Sequence, residues 1–412
     1  MDVVTEHLPS DSPATPDVPT SAGGAVTTEE RERPDWDPRG PSVSSDPRAA
    51  YDDMRARCPV AHGTDGTWTL FTHADVTAAA LDHETYSNAV SRHLQVPNGL
   101  DGDEHTALRV VVDTYFTPDR MQAVEPALRQ VAADLVAELD LPGRLDAVEV
   151  GSRFAVRAQS VWLGWPADLE DELLQWMADN HAATRSRDRA RTAEVAQRFD
   201  AIIRSLTDAR RRAGADAPAD VTTDLVREQL DGRALTDEEI VSILRNWTGG
   251  DLGSMALCAG VVLTYLADHP DLQARFRSGV SDHELDSVLD EILRIDNPFV
   301  SNRRVATAPV IVGGRRIAAG DTVLLNWTSA NRDPETFGDP DAFNPDANAP
   351  HNLVYGIGKH VCPGRPLATL ELRVLTSAIL AATTAIEPDP ERQREREEPP
   401  LGGFAVAPLR LR

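Results

Sequence analysis

The chain has 412 residues, 26% charged and 41% hydrophobic, proportions ordinary for a soluble globular protein. Its formal net charge of −25 argues against a general nucleic-acid or anionic-membrane surface. The cysteines Cys58, Cys258 and Cys362 are far apart, odd in number and form no Cys-x-x-Cys pair, which argues against a disulfide framework or a structural zinc site.

Residues 1–40 are rich in Pro, Ser, Thr, Asp and Glu and hold no apolar run of signal or membrane-spanning length. Such a composition buries too little surface to offset the entropy of ordering, so a disordered leader is expected over 1–40, followed by one domain over 41–412. No membrane anchor is apparent, and a cytoplasmic location is expected. From Tyr51 onward the pattern is mostly helical. Short strands are expected near 67–71, 309–312, 322–325 and 404–408, with a hairpin turn at Gly313-Gly314 and a surface loop at 213–219. The fold class is therefore mainly α with small peripheral β-sheets.

Two helices announce their starts. Thr236-Asp-Glu-Glu239 is a capping box opening an apolar pattern that stops at His269-Pro270, a helix of ~30 residues and ~45 Å. Ser281-Asp-His-Glu284 opens a second, which ends before Asn297-Pro298. The long helix carries Gly249, Gly250 and Gly253 near its middle, each costing about 1 kcal/mol relative to alanine. A close helix crossing explains such glycines; so does a flat ligand against the backbone. On an ideal helix centred on Gly250, Ile243, Trp247, Ser254 and Val261 share that face and Asp251 lies about a quarter-turn away.

The segment Tyr355-Gly-Ile-Gly-Lys-His-Val-Cys-Pro-Gly364 brackets one cysteine with three glycines and precedes an amphipathic helix near 367–380. Glycine admits the backbone conformations of a tight loop pressed against a ligand, and backbone N–H groups beside a helix N-terminus stabilise a thiolate. A lone cysteine is as readily a small buried hydrophobe; the surrounding residues favour a metal ligand.

The segment resembles the cysteine loop of the cytochromes P450, Phe-Gly-x-Gly-x-His-x-Cys-x-Gly, with Tyr355 in place of the phenylalanine. Three further signatures follow in order, so the resemblance spans residue 51 to the C-terminus. Glu291-Ile-Leu-Arg294 resembles the family's buried Glu-x-x-Arg pair. His105 and Arg109, spaced to share a helix face, resemble the residues that hold a haem propionate; Arg304 and His360 are the analogous donors further along. Asn331-Arg-Asp-Pro334 and Phe343-Asn-Pro345 resemble the meander before the loop, but Ala347 stands where an arginine usually completes the Glu-x-x-Arg network, and Asn352 replaces a frequent histidine.

The resemblance implies haem b with Cys362 as axial thiolate, Gly250, Tyr355 and Gly364 against the cofactor, and monooxygenase chemistry on a small organic substrate. The family's acid–threonine pair for proton delivery is absent in the usual register, because Leu252 and Gly253 occupy those positions. Ser254 is the nominated hydroxyl and Asp251 the nominated proton relay. Relatives contact substrate through the equivalents of 88–101, Trp247, 297–301 with Phe299 and Val300, and 402–404 with Phe404; a modest, largely apolar pocket for an aromatic or natural-product substrate is expected. With no flavin or iron–sulfur segment in the sequence, electrons are expected from a separate ferredoxin and its NAD(P)H-dependent reductase, docking near Arg109, Lys359 and Arg365. The missing acid–threonine pair leaves open peroxide use, or coupling, dehydration or rearrangement. A non-catalytic haem-thiolate sensor is the alternative of another class.

Overall fold

The computed structural model describes residues 34–412 apart from 92 and 187, and residues 34–412 form one compact unit. The expected leader lies mostly outside the described residues. Its last part, 34–40, is packed instead, because Trp36 bridges to Gly63 and meets the Phe71 and Tyr51 rings edge-on at 5.1 and 6.3 Å between centroids.

Helices dominate and the sheets are small. The predicted long helix is Asp237–Asp268, referred to below as the central helix, and its capping box is formed in both directions between Thr236 and Glu239. It is long and apolar enough to cross a membrane, yet most of that stretch is buried inside the protein. It packs closely on the helix Ala147–Leu163, and glycines elsewhere make that crossing possible. A methyl group on Gly151 would come within 2.7 Å of the Ala259 side chain, and one on Gly260 within 2.8 Å of Val148. By contrast, a methyl on Gly250 would meet nothing within 4 Å. The helix crossing therefore explains Gly151 and Gly260 and leaves Gly250 facing open space.

The helix capped by Ser281 runs Asp282–Ile295, and the one after the cysteine loop runs Arg365–Ala382. The predicted strands appear as Trp68–Leu70, Val310–Val312, Thr322–Asn326 and Phe404–Val406. Val310–Val312 pairs antiparallel with Arg315–Ile317 across the Gly313-Gly314 turn, and both glycines have positive φ. The largest sheet has five strands; in it Thr322–Asn326 lies parallel to Trp68–Leu70 and antiparallel to Ser301–Ala306. That pairing holds Arg304 opposite Val323, beside the site.

Candidate active site

One large cavity of about 490 Å³ opens between the central helix and the cysteine loop. The loop is shaped by its glycines: Gly356 and Gly358 have φ of +72° and +75°, and a side chain at 358 would strike Leu81 at 2.8 Å. The Cys362 N–H donates to the Tyr355 carbonyl at 2.9 Å, closing the turn. Cys362 is exposed and lines the cavity; burial among protein groups pushes its thiol pKa up, while the Gly364 and Arg365 backbone N–H groups pull it down. A methyl on Gly364 would lie 3.8 Å from the Cys362 Sγ. Tyr355 and Gly364 also line the cavity, and the Tyr355 ring lies under the Arg365 guanidinium at 5.1 Å.

Behind the loop, Arg294 is wholly buried and donates to both Glu291 carboxylate oxygens at 2.8 and 2.9 Å. Its remaining N–H groups donate to the carbonyls of Asn331, Pro340 and Ala342. The place of an arginine at 347 is taken by the next residue. Asn348 Nδ2 donates to Glu291 Oε1 at 2.7 Å, and the Asn344 backbone N–H adds a second bond at 3.0 Å. Asn352 donates to the Asp290 carbonyl at 2.9 Å. The buried pair is thus fully bonded with amides where a second guanidinium was expected, as a buried ion pair requires.

His105, Arg109, Arg304 and His360 converge beside Lys359. The His105 and His360 rings are 4.1 Å apart. Burial, with the neighbouring cations Lys359 and Arg109, depresses the His105 pKa to about 4; burial together with His105 and Arg304 depresses that of His360 to about 3. Arg304 is buried, which lowers its pKa to about 10, and among the described residues its one side-chain hydrogen bond is to the Arg303 carbonyl. The His105 Nδ1 is buried with no partner among the described residues. A cluster of cationic and donor groups left underused in this way fits the carboxylates of an anionic group. Arg109 is placed differently from the other three: it donates to the Lys359 and Val361 carbonyls at 3.0 and 2.7 Å and to Asp113 at 2.6 Å, bracing the cysteine loop from below. Asn88 and Asp101 were not foreseen here. Asn88 Nδ2 contacts His360 Nε2 at 2.9 Å, and Asp101 accepts from Ser87 and Asn88.

On the opposite wall stand Trp247, Gly250, Asp251, Gly253 and Ser254. Ideal-helix geometry misjudged the extent of this face. Ile243 and Val261 are packed in the core, whereas Asp251 reaches the cavity. Its remaining exposure is to the cavity; its Oδ2 is buried without a partner, as are both carboxyl oxygens of Glu371 on the helix Arg365–Ala382. The two carboxyls are in contact, with the Gln159 amide also reaching Asp251 and, among the described residues, no cation paired to either. Two carboxylates can only accept, so neither satisfies the other; a proton kept on one lets it donate to the other. Burial raises Asp251 to about 7, and burial with the Asp251 charge raises Glu371 well above the carboxylate range. Among the described residues Ser254 Oγ has no hydrogen-bond partner, while Thr248 is spent on the Leu244 carbonyl within its own helix.

Trp247, Phe299 and Val300 line the cavity, but Phe404 does not: its ring is buried under Arg396 at 4.2 Å. The C-terminal contribution comes from Pro400 and Leu401, since the glycines at 402 and 403 fit tightly against Pro298 and Val261. Nor is the lining largely apolar. The helix Glu170–Ser186 contributes Asn180, His181 and Thr184, and Asn98 and Asn246 add two more amides. Nothing in the local sequence pattern marks them.

The sequence profile described as Cytochrome P450 matches residues 169–412, more than half of the chain. The chain belongs to the cytochrome P450 family. It is 31% identical over 354 residues to the cyclomarin C epoxidase CymV of Salinispora arenicola, covering 81% of this chain and 88% of that protein. It is also 31% identical over 370 residues to the erythromycin C-12 hydroxylase of Saccharopolyspora erythraea, covering 85% and 90%. The open form of cytochrome P450 EryK from S. erythraea superposes with a TM-score of 0.79 at 27% identity, covering 88% of this chain and 95% of that one. The fold is thus the P450 fold, the activity class is that of an oxidoreductase monooxygenase, and the cofactor of the class is iron protoporphyrin IX with an axial cysteine thiolate.

Proposed function

We propose that this P450 inserts one oxygen atom of O2 into a small natural-product substrate, with Cys362 as the axial ligand. A separate ferredoxin and NAD(P)H–ferredoxin reductase in the cytoplasm supply the electrons. The observation that carries the reading is one cavity holding the Cys362 thiol on one wall and the glycine face of the central helix, with Asp251, on the other. Bound haem supplies dioxygen activation and oxygen transfer.

The chain's own residues divide the remaining work. His105, Arg304 and His360 would supply donors for the propionates of a bound haem, and Arg109 holds the loop that carries Cys362. Glu291 and Arg294 tie that loop to the helix behind it through the meander carbonyls. Gly250 leaves the helix backbone open to a flat ligand, and Tyr355 and Gly364 close the proximal side. Asp251 and Glu371 hold a proton beside the cavity, and Ser254 is the hydroxyl placed to pass it on. Trp247, Phe299 and Val300 with Phe116 and Trp162 form the aromatic and apolar wall that orients substrate and excludes water. That CymV is an epoxidase and its erythromycin relative a hydroxylase, both by name on natural products, supports the substrate class. An acidic ferredoxin needs a basic patch; the exposed Arg365, paired with Asp290 at 2.8 Å, and Lys359 lie on the cysteine-loop face.

Spin-state titration against a natural-product library, followed by turnover with ferredoxin and reductase, tests this reading. Oxygenated product with the electron chain supports it, and its loss in Cys362→Ala is expected together with the red-shifted Soret band of the reduced carbonyl form. A second reading, peroxide-driven oxidation or coupling, is favoured by Leu252 and Gly253 at the acid and threonine positions. Equal turnover from peroxide alone would select it.

A further inference from the structure

The three mid-helix glycines do not serve one purpose. Gly250 is open to the cavity, and a methyl on Gly249 would lie 3.6 Å from the Trp176 ring. A methyl on Gly253 would come within 2.8 Å of His181 Nε2 and 3.7 Å of its Cε1. Position 253 is where the family pattern carries threonine, so the space of that side chain is filled here by an imidazole from the adjacent helix Glu170–Ser186. Both Gly253 and His181 belong to the wall that faces Cys362.

His181 is also chemically uncommitted. Neither ring nitrogen hydrogen-bonds another described residue. The charged groups around it are Glu397 and Arg185, which pair with each other at 2.9 Å. Burial, opposed by Glu397, lowers its pKa, so the ring is neutral at neutral pH, with one donor and one acceptor nitrogen. A polar group that is largely buried and unpaired costs stability, and this one has only the cavity to turn to.

We propose that His181 is a catalytic residue that replaces the missing threonine, its Nε2–H donating a hydrogen bond to the diatomic ligand held between Cys362 and the central helix. The proposal rests on the haem-thiolate reading of Cys362. It makes Gly253 the residue that admits the ring, and Ser254 and the Asp251–Glu371 pair the proton source behind it.

Carbon monoxide on the reduced holoenzyme is the probe, read by the infrared C–O stretch rather than by turnover. His181→Phe removes the donor at similar volume and is expected to shift the stretch and speed carbon monoxide release. His181→Gln is expected to return the stretch part of the way, and Gly253→Ala, which displaces the ring without changing it, to shift it in the direction of His181→Phe. An unchanged stretch in both His181→Phe and Gly253→Ala overturns the proposal, as does a shift that appears only with substrate bound, which would assign His181 to the substrate. Wild-type protein lacking the red-shifted carbonyl Soret band would instead remove the reading of Cys362 on which the proposal stands.

Discussion

The carboxyl groups of Asp251 and Glu371 meet where three helices converge, with the Gln159 amide beside them and, among the described residues, no cation paired to either. Two like charges cannot both be held there, so the pair keeps a proton at a pH where surface carboxyls have lost theirs. Asp251 moves from an ordinary 3.8 to about 7 on folding, so the folded state binds the proton more tightly than the unfolded chain. Its stability contribution is fully present below about pH 4 and is lost as the pH rises through 7.

The first prediction follows from that sign. In urea titrations of the holoenzyme, Asp251→Asn cannot ionise and should gain stability relative to wild type as the pH rises from 4 to 7. The gain is at most about 1.4 kcal/mol per pH unit for one proton. A difference between the two proteins that does not change with pH would show that the carboxyls are not coupled to folding.

Ser254 tests proton delivery rather than stability. Ser254 lines the cavity and its hydroxyl bonds no other described residue, so Ser254→Ala leaves no described group stranded. Haem content and melting temperature should stay at the wild-type level while peroxide release per electron consumed rises; unchanged coupling would return the role to water.

Asn348 carries a structural prediction. It donates the shortest bond to Glu291 Oε1 and is itself buried. Asn348→Ala should cost about 1–3 kcal/mol by leaving a buried carboxylate short of a donor, read as a lowered denaturation midpoint. Asp346→Ala, at an exposed neighbour on the same short helix, serves as the control and should change little.

What the sequence made legible was whatever is encoded within a few residues. The capping box of Thr236, the glycine turn around Cys362 and the hairpin at Gly313-Gly314 are local devices and stand where the pattern places them. The partners that complete the site come from far along the chain. Asn348 reaches Glu291 across 57 positions and Asn88 reaches His360 across 272. His181 meets Gly253 only because two helices face one cavity. Phe404 was misplaced for the same reason. Its aromatic ring fitted a pocket or a core equally well, and a cation from residue 396 decided the matter.

The donor cluster predicts how firmly the cofactor is held. Among the described residues Arg304 is buried with no carboxylate paired to it, and His105 Nδ1 is without a partner. Arg304→Leu and His105→Phe should each speed haem transfer to apomyoglobin by about tenfold or more, the loss of one charge-assisted hydrogen bond of about 1.5–3 kcal/mol. Arg109→Leu should instead disturb the cysteine loop, because its N–H groups are spent on the Lys359 and Val361 carbonyls. Its signature would be a carbonyl Soret band that loses its red shift during storage, ahead of haem loss.

Gly250 separates the demands of folding from those of ligand binding. Alanine is the better helix former by about 1 kcal/mol, and a methyl group at 250 meets nothing within 4 Å, so the polypeptide freed of haem should become more stable on Gly250→Ala. The space the methyl enters is the cavity wall itself, so the same substitution should weaken haem or diatomic-ligand binding, and the bulkier Gly250→Val should do so more strongly. Thermal unfolding of the haem-free and haem-loaded forms gives both halves of the comparison. If Gly250→Ala raises the two midpoints equally, the glycine is not kept for the ligand, and the open face of the central helix has another use.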